Sequence, residues 1–202
     1  MTHTTTYPVD LQLDAPLEIA RWRPLVNWLL DIPHLVVANA LGNVANVLAV
    51  ISWFIIVFTG RLPDGIARFQ CMVLRYEARA YSYLIFLREP YPAFEFEMTT
   101  ISASADPLRL DIAPQLENRN RLTVGLRLIW ISPILIFTAL VAIATVLAVL
   151  IAFFAVIFTG RWPQGLRRFV INSSRLMQRV SAYSRLLVDI YPPFTLVDPA
   201  AE

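Results

Sequence analysis

Apolar positions along this chain gather into two long runs, each followed by a segment of helical period and flanked by short stretches of period two. The first run, residues 33–59, reads PHLVVANALGNVANVLAVISWFIIVFT. The second, residues 128–159, reads LIWISPILIFTALVAIATVLAVLIAFFAVIFT and holds no charged residue. With their flanks the apolar regions extend over 24–59 and 122–159. About 20 apolar residues suffice for a helix to cross the ~30 Å hydrocarbon core of a bilayer. Behind each run, over 64–88 and 164–188, apolar residues recur every three to four positions, the period of a helix with one apolar face. Alternation marks three short stretches: Val9, Leu11 and Leu13; Phe94, Phe96 and Met98; Leu108, Leu110 and Ile112. These predict β-strands of a small sheet, for which three strands are needed if it stands alone.

Arginines bracket both runs, Arg21 and Arg61 around the first, Arg121 and Arg161 around the second. A helix crossing once should be basic mainly at its cytoplasmic end. Basic residues at both ends favour a helical hairpin returning to its starting face, over a single span. The hairpin turns would fall near Gly42-Asn43 and between Thr138 and Ala142, leaving short arms. Even crossings also keep matching loops of a repeated unit on one side.

Repetition is explicit: VFTGRLPDGIARF at 57–69 returns as IFTGRWPQGLRRF at 157–169. From 57–94 against 157–194, without gaps, 15 of 38 positions are identical. The chain is therefore read as a tandem duplication, residues 1–100 and 101–202, with a linker at 100–107. Gly60 and Gly160 suit the left-handed position that ends a helix. Arg61 and Arg161 then reach the headgroup level, and Pro63 and Pro163 start a new helix. Arg68, Arg75 and Arg79 fall within about 40° on a helical wheel, and Arg168, Arg175 and Arg179 repeat that face. An apolar stripe beside an Arg face predicts an interfacial helix touching anionic lipid headgroups or a partner. The same pattern fits a helix packed on a soluble cap with its Arg facing water, and both readings place it at the membrane surface.

Composition agrees with a membrane protein: 57% of residues are apolar, against ~45–50% in soluble domains. All 17 basic residues are Arg, but the net charge is only +2, too small for a nucleic-acid partner held by many phosphates. The lone Cys71, replaced by Ile171 in the second copy, reads as structural, and with His3 and His34 it forms no metal-ligand cluster. No basic stretch followed by an apolar one opens the chain, so no cleavable leader is expected. Asp31 and His34, three apart in the more polar first run, are candidates for an intramembrane polar site, because ionisable groups at that depth are costly.

The pattern FTGR-x-P-x-G, followed by AY and by YPPF at 191–194, resembles a family of small, mostly actinobacterial membrane proteins catalogued as domain of unknown function 4389. The first copy departs mildly, with YPAF at 91–94. The resemblance implies a repeated membrane unit and brings no activity, cofactor or catalytic residue. The fold expected is a mostly α integral membrane protein, each copy a hairpin or single span plus an amphipathic surface helix and short strands. Residues assembled for catalysis are not evident, so no enzyme activity and no cofactor are expected. The leading expectation is an accessory or assembly subunit of a larger envelope or respiratory membrane complex. The alternative is a lipid-binding, lipid-trafficking or membrane-shaping protein using the Arg face; the third is a solute or proton pathway through the first copy. The location expected is the plasma (inner) membrane, with the Arg-rich helices and sheet on the cytoplasmic face.

Overall fold

The computed structural model describes residues 7–102 and 106–196; His3 and part of the 100–107 linker lie outside them. In chain order the elements are β1 (Val9–Leu13), α1 (Arg23–Leu30), α2 (Ile32–Thr59), α3 (Asp64–Leu84), β2 (Leu108–Ile112), α4 (Arg121–Gly125), α5 (Arg127–Trp130), α6 (Ser132–Thr159) and α7 (Gln164–Ser184). The chain is thus mostly helical, and its two copies share one order of elements, with α1 of the first answered by α4 and α5 in the second.

Each apolar run forms one uninterrupted helix of 28 residues, the second from Ser132 onward, about 42 Å at 1.5 Å per residue. This corrects the preference for hairpins: Gly42-Asn43 and Thr138 to Ala142 lie inside helices. Their backbone N–H groups have no alternative partner in an apolar run, so continuing the helix satisfies them at no cost. Gly42 serves a different purpose. A Cβ there would stand 2.8 Å from the Glu77 carboxylate, so glycine admits that side chain against α2. Both α2 and α6 are long and apolar enough to cross a membrane.

α3 turns back along α2, and α7 along α6. Each surface-helix expectation ended four residues too late, because Phe86 and Leu186 adopt positive φ, 47° and 64°. That conformation is costly for a bulky residue. Phe86 compensates by stacking on Trp162, ring centroids 5.0 Å apart, and is almost fully buried.

The sheet has two antiparallel strands, with Leu11 opposite Leu110 at its centre. Residues 94–98 pair with no strand among the described residues, so the third predicted strand is not formed. Two strands hold because they do not stand alone: β1 packs on α7 and β2 on α3. Each strand therefore covers the helix of the other copy. Val9, Leu11, Leu108, Leu110 and Ile112 point into the core with Leu74, Ala78 and Leu176, while Gln12 and Arg109 face out.

On α3, Gln70 and Tyr76 face α2, where Gln70 donates to the Ala45 carbonyl at 2.7 Å. Arg75 and Arg79, on the other side of the same helix, face the sheet segment. Three layers result: the sheet, then α3 with α7, then α2 and α6. The two long arms run in opposite senses. The Arg119 N–H donates to the Gly60 carbonyl and the Ile19 N–H to the Gly160 carbonyl, at 3.2 and 2.9 Å. The end of α2 thus meets the entry to α4–α6, and the end of α6 meets the entry to α1–α2.

Gly60 sits at φ 73°, where a Cβ would also approach Arg121 Nε to 3.3 Å. Gly60→Ala should cost about 1–2 kcal/mol, the usual penalty of that region. Gly65 has open space around it, and Gly65→Ala should be neutral or stabilising by about 0.5 kcal/mol. Thermal unfolding of the two variants in detergent checks both; equal melting points would contradict the assignment.

Candidate functional site

The FTGR turn behaves as a helix exit, and its neighbours explain its repetition. Thr59 and Thr159 hydroxyls donate to the carbonyls of Ile55 and Ala155, both at 2.6 Å. The same oxygens accept from the N–H groups of Arg61 and Arg161. Gly160 mirrors Gly60 with φ 72°. Pro63 and Pro163 precede α3 and α7 with extended backbone, ψ 130° and 121°. The next residue is then sewn to the other copy: Leu62 N–H to the Leu116 carbonyl, Trp162 N–H to the Leu17 carbonyl. Arg61 is exposed, and Arg161 makes an exposed ion pair with Glu18 at 2.7 Å. Such pairs contribute little.

The duplicated Arg face divides in two. Arg68 and Arg168 are exposed near the helix starts, Arg68 paired with Asp64 at 2.8 Å. Arg75, Arg79 and Arg179 are buried. Arg75 donates through Nε and Nη2 to the Leu110 carbonyl, both at 3.4 Å, and to the side chain and carbonyl of Thr99. Arg175 donates through Nε to the Leu11 carbonyl at 3.0 Å. Leu11 and Leu110 face each other across the sheet. Arg79 pairs with Glu95 at 2.6 Å and Asp106 at 3.4 Å, and Arg179 lies over the Tyr7 ring at 5.4 Å. Burial, with Arg79 adding to it, pulls the Arg75 pKa below its usual value. The predicted headgroup face is therefore an internal clamp at these positions, because an arginine beside a strand meets carbonyls that a buried sheet leaves accessible.

Sequence reasoning missed a further set. Arg88, nearly inaccessible, makes a two-pronged pair with Asp106 at 2.9 and 3.1 Å. Asp189 receives both Arg119, by two bonds, and Arg127. Arg127 also donates to the carbonyls of Tyr183 and Val188, at 2.7 and 2.9 Å. These arginines finish the backbone where α7 ends and the chain turns at positive φ. A pointer existed in the sequence: Asn27 stands where the second copy has Arg127, and it donates to the Tyr83 carbonyl at 2.9 Å.

Asp31 and His34 come together with Asn27 on one face of the α1–α2 junction, all three fully buried. His34 Nδ1 lies 2.8 Å from the Tyr76 hydroxyl. The ring of His34 stacks on Phe94 at 4.1 Å and meets the edge of Tyr91 at 4.8 Å. The opening of the apolar run and the YPAF segment thus meet in space. In the second copy Ile134 is buried and Phe194 lies 5.6 Å from Phe137. Among the described residues neither Asp31 carboxyl oxygen has a hydrogen-bond partner. No group of three or more His, Cys, Asp or Glu among the described residues stands together as a metal site.

Burial raises the Asp31 carboxyl from 3.8 to about 6. A carboxyl that binds its proton more tightly when folded lends stability that is full below pH 3.8 and lost as the pH rises through about 6. Asp31→Asn should flatten that loss and raise the melting temperature at pH 7; a lowered melting temperature would mean an ionised, partnered carboxylate. Cys71 is buried and its thiol is pushed up to about 12. It should therefore resist maleimide in folded protein and react on denaturation; rapid labelling at neutral pH would contradict this.

Comparison with known proteins yields one match. The family described as Domain of unknown function (DUF4389) matches residues 21–95 and again 121–195. No curated protein and no solved structure matches the chain. The two matched stretches begin at Arg21 and Arg121, whose side chains lie against Gly160 and Gly60, and end just past Phe94 and Phe194. They contain the FTGR turns, the clamp arginines and the aromatic returns just described. The chain belongs to the DUF4389 family, as two tandem copies of its unit.

Proposed function

We propose that the protein is a non-catalytic, lipid-interacting membrane protein that seats its α2/α6 layer in one leaflet. The reading extends to the plasma (inner) membrane, with α3, α7 and the sheet toward the cytoplasm, the side that Arg-rich segments favour. One observation carries it: apolar and polar faces stand at opposite ends of the stacking direction. Val47, Phe58, Leu147 and Phe158 point away from the core, and both phenylalanines are 74% exposed. At the other end the sheet turns out Gln12 and Arg109.

Orientation follows from cost. Arg75 and Arg175, which hold the sheet's centre, lie midway along α3 and α7. Helices standing along the bilayer normal would therefore carry the sheet's polar face into hydrocarbon. Each ionisable group there costs about 2.5–3.5 kcal/mol. Helices lying flat keep the apolar layer in lipid and the sheet in water, as interfacial helices do. Lipid contact thus moves from the arginine face to α2 and α6, leaving exposed Arg61, Arg68 and Arg168 for headgroups at the rim. The ring walls around His34 argue against a polar pathway there.

A second reading, an accessory subunit of a larger membrane complex, is favoured by Asn39, Asn43 and Asn46. They form an exposed stripe on α2, with Asn43 donating to Asn39 at 3.0 Å. The second copy has Ala139, Ile143 and Val146 there. Amide side chains bond across packed membrane helices.

Vesicle flotation tests the seat in the leaflet. Val47→Arg with Leu147→Arg should shift the protein off liposomes, while Gln12→Arg on the sheet leaves it bound. Flotation unchanged by the double variant would contradict the proposal. For the second reading, replacing the three asparagines by Leu should release a partner on native electrophoresis while flotation is kept.

A further inference from the structure

Between α6 and the α3/α7 pair lies a cavity of about 550 Å³, within the ~300–1,000 Å³ of small-molecule sites. Its walls are mainly apolar: Leu135 and Ala142 of α6, Ala78 of α3, Met177 and Val180 of α7, and Leu108 of the sheet. Three of the hydroxyls along it are turned toward their own helices. Thr138, Thr145 and Ser174 donate to the Ile134, Val141 and Val170 carbonyls of their own helices, at 2.7, 2.8 and 2.9 Å. Val146 both lines the cavity and is 66% exposed on the outer apolar face of α6. The mouth therefore opens at the surface assigned to lipid.

Polar capacity survives at Glu77, Tyr81, Gln178 and Ser181. Glu77, on the cavity wall, accepts from Arg185 Nη2 at 2.8 Å. Buried Arg185 Nη1 and buried Gln178 Oε1 have no hydrogen-bond partner among the described residues. The pair Glu77–Arg185 is neutral overall, and Gln178 on the same wall keeps an open acceptor. A hydroxyl can donate to that acceptor. An ionised carboxylate would offer no donor to Gln178 and would stand beside Glu77; a phosphate would add charge that nothing there balances.

We propose that this cavity binds a single-chain, uncharged glyceride taken from the bilayer, its hydrocarbon chain along α6 and its hydroxyl head at Gln178. The proposal rests on the reading that the α2/α6 layer faces lipid. The probe is a monoacylglycerol carrying a chain diazirine, irradiated with full-length protein in vesicles and mapped by peptide mass spectrometry. Labels are expected on the cavity-lining Leu135, Thr138, Ala142 and Thr145 of α6 and on Met177 and Val180 of α7. Unlabelled monooleoylglycerol should compete about tenfold better than oleate or lysophosphatidylcholine, a difference of roughly 1.4 kcal/mol. Ala142→Phe should fill the cavity and lower labelling about tenfold, whereas Ile143→Phe, on the outer face, should not. Gln178→Leu should bring oleate and the glyceride toward parity with the protein still bound to vesicles. Labelling confined to outer positions such as Ile136 and Ile143, or oleate competing as well as the glyceride against the wild type, would overturn the proposal. Loss of flotation would instead remove the seat in the leaflet; full flotation without cavity labelling overturns the cavity alone.

Discussion

Two reciprocal hydrogen-bonded contacts hold the middle of this molecule. Arg75 reaches from the first copy to the carbonyl of Leu110 in the second, and Arg175 reaches back to the carbonyl of Leu11. The two leucines are opposite each other in the sheet. Because each strand needs the other copy's helix, neither copy can finish its core alone. Burying Arg75 and half-burying Arg175 carries a desolvation cost, offset here by their carbonyl partners. From this exchange follow the opposed run of α2 and α6, the stacking of three layers and the separation of polar and apolar faces.

Much of this arrangement is legible in the amino-acid sequence, in physical terms that differ by element. Val9 to Leu13 and Leu108 to Ile112 alternate cleanly, and they pair. Gly60 and Gly160 demand positive φ and take it. The 15 repeated positions disclose two copies, and the family match finds the same two units. The hairpin expectation failed because Gly42 looks like a turn residue, while its neighbours give a helix no reason to stop; its real neighbour is Glu77, 35 positions away. The Arg face misled for a related reason. Periodicity tells which residues share a side of a helix, but not whether water, lipid or a strand lies against that side. Phe94, Phe96 and Met98 alternate like a strand, yet Phe94 and Phe96 stack on His34 and Tyr76 instead.

The two copies have diverged where their surroundings differ. Asn27 and Arg127 serve the same carbonyl position, of Tyr83 and Tyr183. Arg127 brings a charge, and Asp189 answers it together with Arg119. Removing Asp189 would leave two buried arginines unmatched, a change worth about 3–5 kcal/mol. The first copy keeps a polar Asp31 and His34 where the second has Ile131 and Ile134. The second copy instead supplies α6 and α7, the principal walls of the cavity. The two copies share a frame, and each half carries its own polar features.

The central claim is that both long helices lie in one leaflet, so that Gly60 and Gly160, at opposite ends of the layer, leave the membrane on the same face. In sealed vesicles of one orientation, with Cys71 replaced, single cysteines at Arg61, Arg161 and Gln12 can be probed by a thiol reagent that cannot cross the bilayer. The account predicts that all three label from the same side. Labelling of positions 61 and 161 from opposite sides would show helices that cross the bilayer in opposite directions, and would contradict it.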